Sequence, residues 1–157
     1  MIRSQARLKQ DEGAVFVEML IAYLPVMFFF MATWQLAELA AAHLVVQHAA
    51  AMTARAAAVV IPDDPFYYDG TATDAYTGSR KDDVELAAKM ILASAPQISN
   101  DPQITVTGAS GNGPMKATVA ANFHCLAGWV SLVCGAGGVR TITVSAESAY
   151  HGAKYQF

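Results

Sequence analysis

Apolar and polar positions divide this chain into three regimes. Between Ala14 and Leu36 almost every residue is apolar, in the run AVFVEMLIAYLPVMFFFMATWQL. About 20 such residues suffice to cross a bilayer as a helix. From Gln35 to Ile61 alanine dominates, and alanine is the strongest helix former. The polar residues Gln35, Glu38, His43, Gln47, His48, Thr53 and Arg55 are scattered around that helix rather than gathered in one stripe, which suits a helix contacted from several sides. If residues 14–61 form one helix, it is about 70 Å long at 1.5 Å per residue. That exceeds the thickness of a membrane, so its distal half projects from the bilayer.

Ile61-Pro62-Asp63-Asp64-Pro65 ends the helix, and residues 62–81 read as a surface loop rich in turn formers. In that loop Phe66, Tyr67 and Tyr68 either cover the core or form a contact surface; the core is the expected place. Its acids, Asp63, Asp64, Asp69 and Asp74, do not match a calcium loop of the EF-hand type and are expected to be solvated. Asp82 to Ala95 repeats Val84, Ala87, Ala88, Ile91 and Leu92 at helical spacing, with Asp82 or Asp83 as the cap and Pro96 as the end. Beyond it the period changes to two. Residues 104–107, 115–123 and 139–149 read as strands, the first two joined as a hairpin through the turn-forming run Gly108 to Pro114. The expected fold class is α+β, a lollipop. A long N-terminal membrane-spanning helix leads into a small head, residues 62–157, with one helix on an antiparallel sheet of about three strands.

Composition sharpens the picture in two places. Of 157 residues 54% are hydrophobic and 15% charged, with a formal charge of −3, so no basic surface argues for nucleic acid. The leader, residues 1–13, holds Arg3, Arg7 and Lys9 against Asp11 and Glu12. Bases on a short N-terminal flank favour keeping that end in the cytoplasm, with the head outside. Cys125 and Cys134 then lie in the outer part. Sequence leaves two readings for them: a disulfide, plausible in an oxidising compartment, or two buried thiols. The residues between them include Leu126, Trp129, Val130, Leu132 and Val133, a run that either tucks into the head or forms an exposed contact patch.

The remaining puzzle is Glu18, a carboxylate near the start of the apolar run. Such a charge costs about 2.5–3.5 kcal/mol in a bilayer. A secretory signal peptide, with Ala40-Ala41-Ala42 as its cleavage region, is disfavoured because the apolar run is too long and Glu18 interrupts it. A plain single-span anchor fits the length but leaves the acid unexplained. Cleavage after Gly13 accounts for more. Ala14 would then carry a free amine four residues before Glu18, and i and i+4 are neighbours on a helix. The carboxylate would also sit in the first turns, where the helix dipole favours negative charge. It could pair with the amine of its own chain or of a neighbouring subunit, so that an unpaired subunit carries a penalty which docking removes.

The run Gly13-Ala14-Val15-Phe16-Val17-Glu18 resembles a type IV prepilin processing site. More narrowly, GAVFVEMLIAYLPVMFFF is similar to the start of TadE-like pseudopilins of tight-adherence pili, with Val17-Glu18 and Pro25 in the expected places. AAAMTARAAAVV looks like that family's Ala- and Arg-containing helix end. The likeness is strong over roughly residues 11–60 and weaker beyond; Met19 stands where an aromatic is usual, and Phe28, Phe29, Phe30 and Trp34 crowd the span. The resemblance implies a minor pseudopilin of the inner membrane, incorporated into a pilus and active in its assembly or initiation. The implied partners are a prepilin peptidase, other pilins or pseudopilins, and the inner-membrane pilus assembly machinery. Pro25 is expected to kink the helix, either to help subunits pack or merely as a tolerated proline.

No enzymatic motif stands out, and no cofactor or metal is implied. His124 beside Cys125 is not a dyad by adjacency alone. His43, His48, His124 and His151 lack the spacings of zinc sites. GAGG at 135–138 lacks the context and the basic residue of a phosphate loop. The alternative to a pilus subunit is a single-pass, membrane-anchored extracytoplasmic binding module unrelated to pili.

Overall fold

This computed structural model describes residues 2–99, 101–108, 113–125, 134 and 137–149, with residues 2–12 by backbone alone. One helix, α1 (Ile2–Val60), runs through the leader, the apolar span and the alanine-rich stretch without interruption, and Pro25 lies inside it. A 3-10 turn (Pro65–Tyr67) leads to α2 (Gly78–Leu92). Three strands follow: β1 (Gln103–Thr107), β2 (Met115–His124) and β3 (Val139–Ser148). They form an antiparallel sheet in the order β1-β2-β3, with Val119 facing Ile104 on one side and Val144 on the other. The α+β lollipop expected from the pattern is the observed architecture.

Period-two alternation sets the sheet's faces. Met115, Ala117, Val119, Ala121 and Phe123 of β2 all point into the core, while Lys116, Asn122 and His124 point out. Gly108 leaves β1 with a positive φ of 100°, and a side chain there would press on the Pro114 carbonyl at 2.6 Å, so the hairpin needs glycine.

The sheet and α2 pack on one stripe of α1, made of Ala42, Val46, Ala49, Ala50, Thr53, Ala54, Ala57 and Ala58 and continued by Ile61 just past its end. That spacing of three and four is one helix face, and its small side chains let the strands approach closely. The head therefore covers α1 from one side, not several. His43, Gln47, His48 and Arg55 stay exposed, and Thr53 is buried with its hydroxyl donating to the Ala49 carbonyl at 2.7 Å. One part of the core joins Ala42 to Ala50 with Val119, Ala121, Phe123 and Ile142. The other joins Ala57, Ala58 and Ile61 with Val84 and Met115. So β2 runs back along α1, from the far end of the head toward the apolar half of the helix.

Helix α2 begins earlier than its acids suggest. Its N-terminal boundary is Thr77, in an extended conformation without a side-chain cap bond, and Asp82 and Asp83 lie inside the helix. Gly78 follows at φ +58°, a turn into the helix that disfavours a side chain. The helix ends at Leu92 rather than running to Ala95. Its buried residues are Arg80, Val84, Ala88 and Leu92, one every fourth position.

Candidate functional site

Three features of the molecule carry functional information, and they lie along α1 from its apolar start to its far end. The first is the bare half of the helix. Residues 13–34 are exposed almost throughout, and Phe29, for example, is 71% exposed. This is a helix long and apolar enough to cross a membrane, and no residue of its most apolar stretch is buried. Contiguous apolar surface on this scale marks a membrane or a protein partner. Glu18 sits on it exposed, with no hydrogen bond or ion pair among the described residues.

Gly13 is helical, and apart from its chain neighbours and the backbone of its own helix no described atom lies within 4 Å of the place a β-carbon would occupy. Neither sterics nor a positive φ calls for glycine here, although glycine inside a helix costs about 1 kcal/mol relative to alanine. Gln35 is the first buried residue of α1 among the described side chains. Beside it the indole Nε1 of Trp34 donates to Glu38 Oε1 at 2.8 Å.

The second feature is Arg80, which the pattern of turn formers hides inside a presumed surface loop. Its side chain is fully buried. The guanidinium donates to four carbonyls: Nη1 to Val60 and to Ile61, the latter at 3.0 Å, and Nη2 to Asp63 at 2.8 Å and Thr71 at 3.2 Å. The last carbonyls of a helix have no partner within it and carry the negative end of its dipole. Arg80 thus supplies to the end of α1 what α1 lacks locally, and ties the connecting loop to it. Tyr68 lies over the guanidinium, its ring centre 4.4 Å from Cζ, and the Tyr68 hydroxyl donates to Asp63 Oδ2 at 3.4 Å. Partial burial, and next the nearby Asp63 carboxylate, push the Tyr68 hydroxyl above its ordinary pKa. Extending the α2 stripe back by one step of four from Val84 lands on Arg80, and that was the signal available in the sequence.

The third feature is the far tip. Phe66 and Tyr67 do not cover the core: they are 84% and 73% exposed, stacked edge to face with ring centres 5.5 Å apart. A 3-10 turn starting at a proline points both rings outward, because the core at this end is already filled by Ile61, Val84 and Met115.

Cys125 and Cys134 sit at disulfide distance, with 6.5 Å between their α-carbons. Cys134 is buried in the main core, with Cys125 packed against it. The apolar run of Leu126, Trp129, Val130, Leu132 and Val133 and the histidine His151 lie outside the described residues. Among the described residues no three His, Cys, Asp or Glu side chains gather as metal ligands would. The structure does not bring the sites expected from sequence together: Cys125 and Cys134 pack near Ala42–Ala50, in the middle of α1, whereas Gly13, Ala14 and Glu18 lie toward its start. Comparison of the chain with protein-family models, curated proteins and solved structures gave no match.

Proposed function

We propose that the chain is a minor, TadE-like pseudopilin of a tight-adherence pilus, cut after Gly13 and acting in pilus assembly or initiation through its N-terminal helix. The observation that carries this reading is the junction at the bare end of α1. A glycine that the fold does not require stands five residues before an unpartnered carboxylate, at the head of an apolar surface the chain leaves uncovered. Each of these is unfavourable for a lone subunit, and together they make sense for one that is cleaved and then assembled. The leader keeps the precursor's N-terminus in the cytoplasm, with the head in the periplasm. A prepilin peptidase releases the Ala14 amine. Glu18 pairs with that amine or a neighbour's, and the apolar helix exchanges lipid for other pilins. Pro25 supplies a bend within the packed span.

N-terminal sequencing of the protein from native membranes is the test. A first residue of Ala14 supports the subunit. An intact leader, or a start near Ala42, refutes it. The second reading, an anchored binding module, is favoured by one observation, the outward-facing pair Phe66 and Tyr67, and predicts an uncut leader.

A further inference from the structure

We propose that the far tip of the head is a docking surface for a cationic segment, rich in lysine or arginine, of a partner protein. The inference goes beyond the pilus reading and stands without it, because it uses only the head.

Three observations converge. The tip displays two aromatic rings to solvent, Phe66 at 84% and Tyr67 at 73% exposure. Scattered surface apolar residues are ordinary, but here two large rings stand side by side, edge to face, on one short turn. That turn is firmly held. Asp64 Oδ1 accepts from the Phe66 amide at 2.9 Å. The Gly70 amide donates to the Pro65 carbonyl at 3.0 Å and the Asp74 amide to the Ile61 carbonyl at 3.0 Å. Arg80 clamps Val60, Ile61, Asp63 and Thr71 beneath it. Rings presented on a held backbone lose little freedom on binding.

Charge selects the occupant. Residues 62–83 contain six aspartates, 63, 64, 69, 74, 82 and 83, against Arg80 and Lys81, a net of −4 where the whole chain carries −3. Of the two bases only Lys81 reaches the surface. Arg80 is buried under Tyr68 among carbonyls, and Lys81 sits 3.7 Å from Glu85, a carboxylate it shares with Lys89. Asp69, Asp74, Asp82 and Asp83 are exposed. Exposed ring faces attract lysine and arginine through their quadrupole, and the carboxylates of this segment, of which Asp64 holds the turn and Asp63 and Asp83 act on the adjoining Tyr68, add a field of the same preference. An acidic partner or an anionic membrane would be repelled by this pole.

The test uses the full chain in detergent micelles and a short fluorescent oligolysine, read by anisotropy. Oligoglutamate and a neutral Gly-Ser peptide serve as controls. The parent binds oligolysine at low salt, and binding falls steeply near 1 M salt, where the screening length is about 3 Å. The double variant Phe66→Ser, Tyr67→Ser removes only exposed side chains, so its melting curve stays that of the parent. Its affinity for oligolysine drops about tenfold. The variant Asp69→Asn, Asp82→Asn, Asp83→Asn loses affinity and most of the salt dependence, while Asp101→Asn, outside the pole, changes neither. No oligolysine binding by the parent overturns the proposal. So does unchanged affinity in the aromatic double variant, since attraction to net charge alone would explain it, and so does equal binding of the neutral peptide.

Discussion

Replacing Arg80 by methionine keeps most of the buried volume and deletes every donor. Four carbonyls lose the guanidinium, but their losses differ. The Ile61 oxygen keeps the Asp74 amide at 3.0 Å. Among the described residues no other donor reaches the carbonyls of Val60, Asp63 and Thr71. Their bonds to Arg80 are partly buried, so water reaches them in part, and an orphaned acceptor at the low end of the range costs about 1 kcal/mol each. The lost contact with Tyr68 adds about 0.5–1 kcal/mol. The sum is about 3–4 kcal/mol. For a head of this size that lowers the melting temperature by about 15–25 °C. Far-UV circular dichroism of the full chain in micelles measures it. Arg80→Lys should fall between, since one compact ammonium cannot span oxygens contributed by two segments. If Arg80→Met melts within about 3 °C of the parent, the guanidinium is not what holds the end of α1, and the clamp is refuted.

Three further outcomes are expected. Burial, with the Glu85 carboxylate adding to it, pushes the Tyr76 hydroxyl up to about 12; the unfolded chain ionises near 10, so the stability Tyr76 contributes is complete below pH 10 and is lost as pH rises through 12. Tyr76→Phe should flatten that alkaline loss in pH-dependent denaturant melts, and an unchanged profile would count against it. Opening the Cys125–Cys134 link, nine residues apart in sequence, by Cys134→Ala with Cys125→Ala should destabilise the head by about 2–3 kcal/mol on the loop-entropy scale, read from urea midpoints with and without reductant. Glu18→Ala should leave membrane insertion intact and impair association with partner pilins in crosslinking from native membranes; normal piliation with normal association would defeat the pairing idea.

The sheet and the long helix were legible because their causes are local. The alternation through Ile104-Thr105-Val106-Thr107 and Met115 to Phe123 places each strand within a residue or so of its observed ends, and the glycine-rich turn between them fixes their pairing. The stripe from Ala42 to Ile61 is also written in the residues, though counting polar side chains around the helix obscures it. What alanine spacing marks is where a neighbour comes close, whereas polar spacing marks only where water is tolerated. Arg80 was hidden because its role is nonlocal. It caps a helix that ended twenty residues earlier, and a lone arginine among turn formers reads as a solvated one. The start of α2 was missed for the same reason, since helical backbone from Gly78 is what carries Arg80 back under Val60. Phe66 and Tyr67 depart in the opposite direction: aromatic type argues for the core, but Ile61, Val84 and Met115 already fill it.

Gly13 and Glu18 differ from all of these, because among the described residues nothing packs on the first or pairs with the second. A residue whose presence the folded monomer leaves unexplained, and whose physical cost is about 1 kcal/mol for the glycine and more for a carboxylate in lipid, points to an event outside the monomer. On the proposed reading, cleavage at the glycine and pairing of the carboxylate with the amine so released would account for both at once, where two separate explanations would each need their own support.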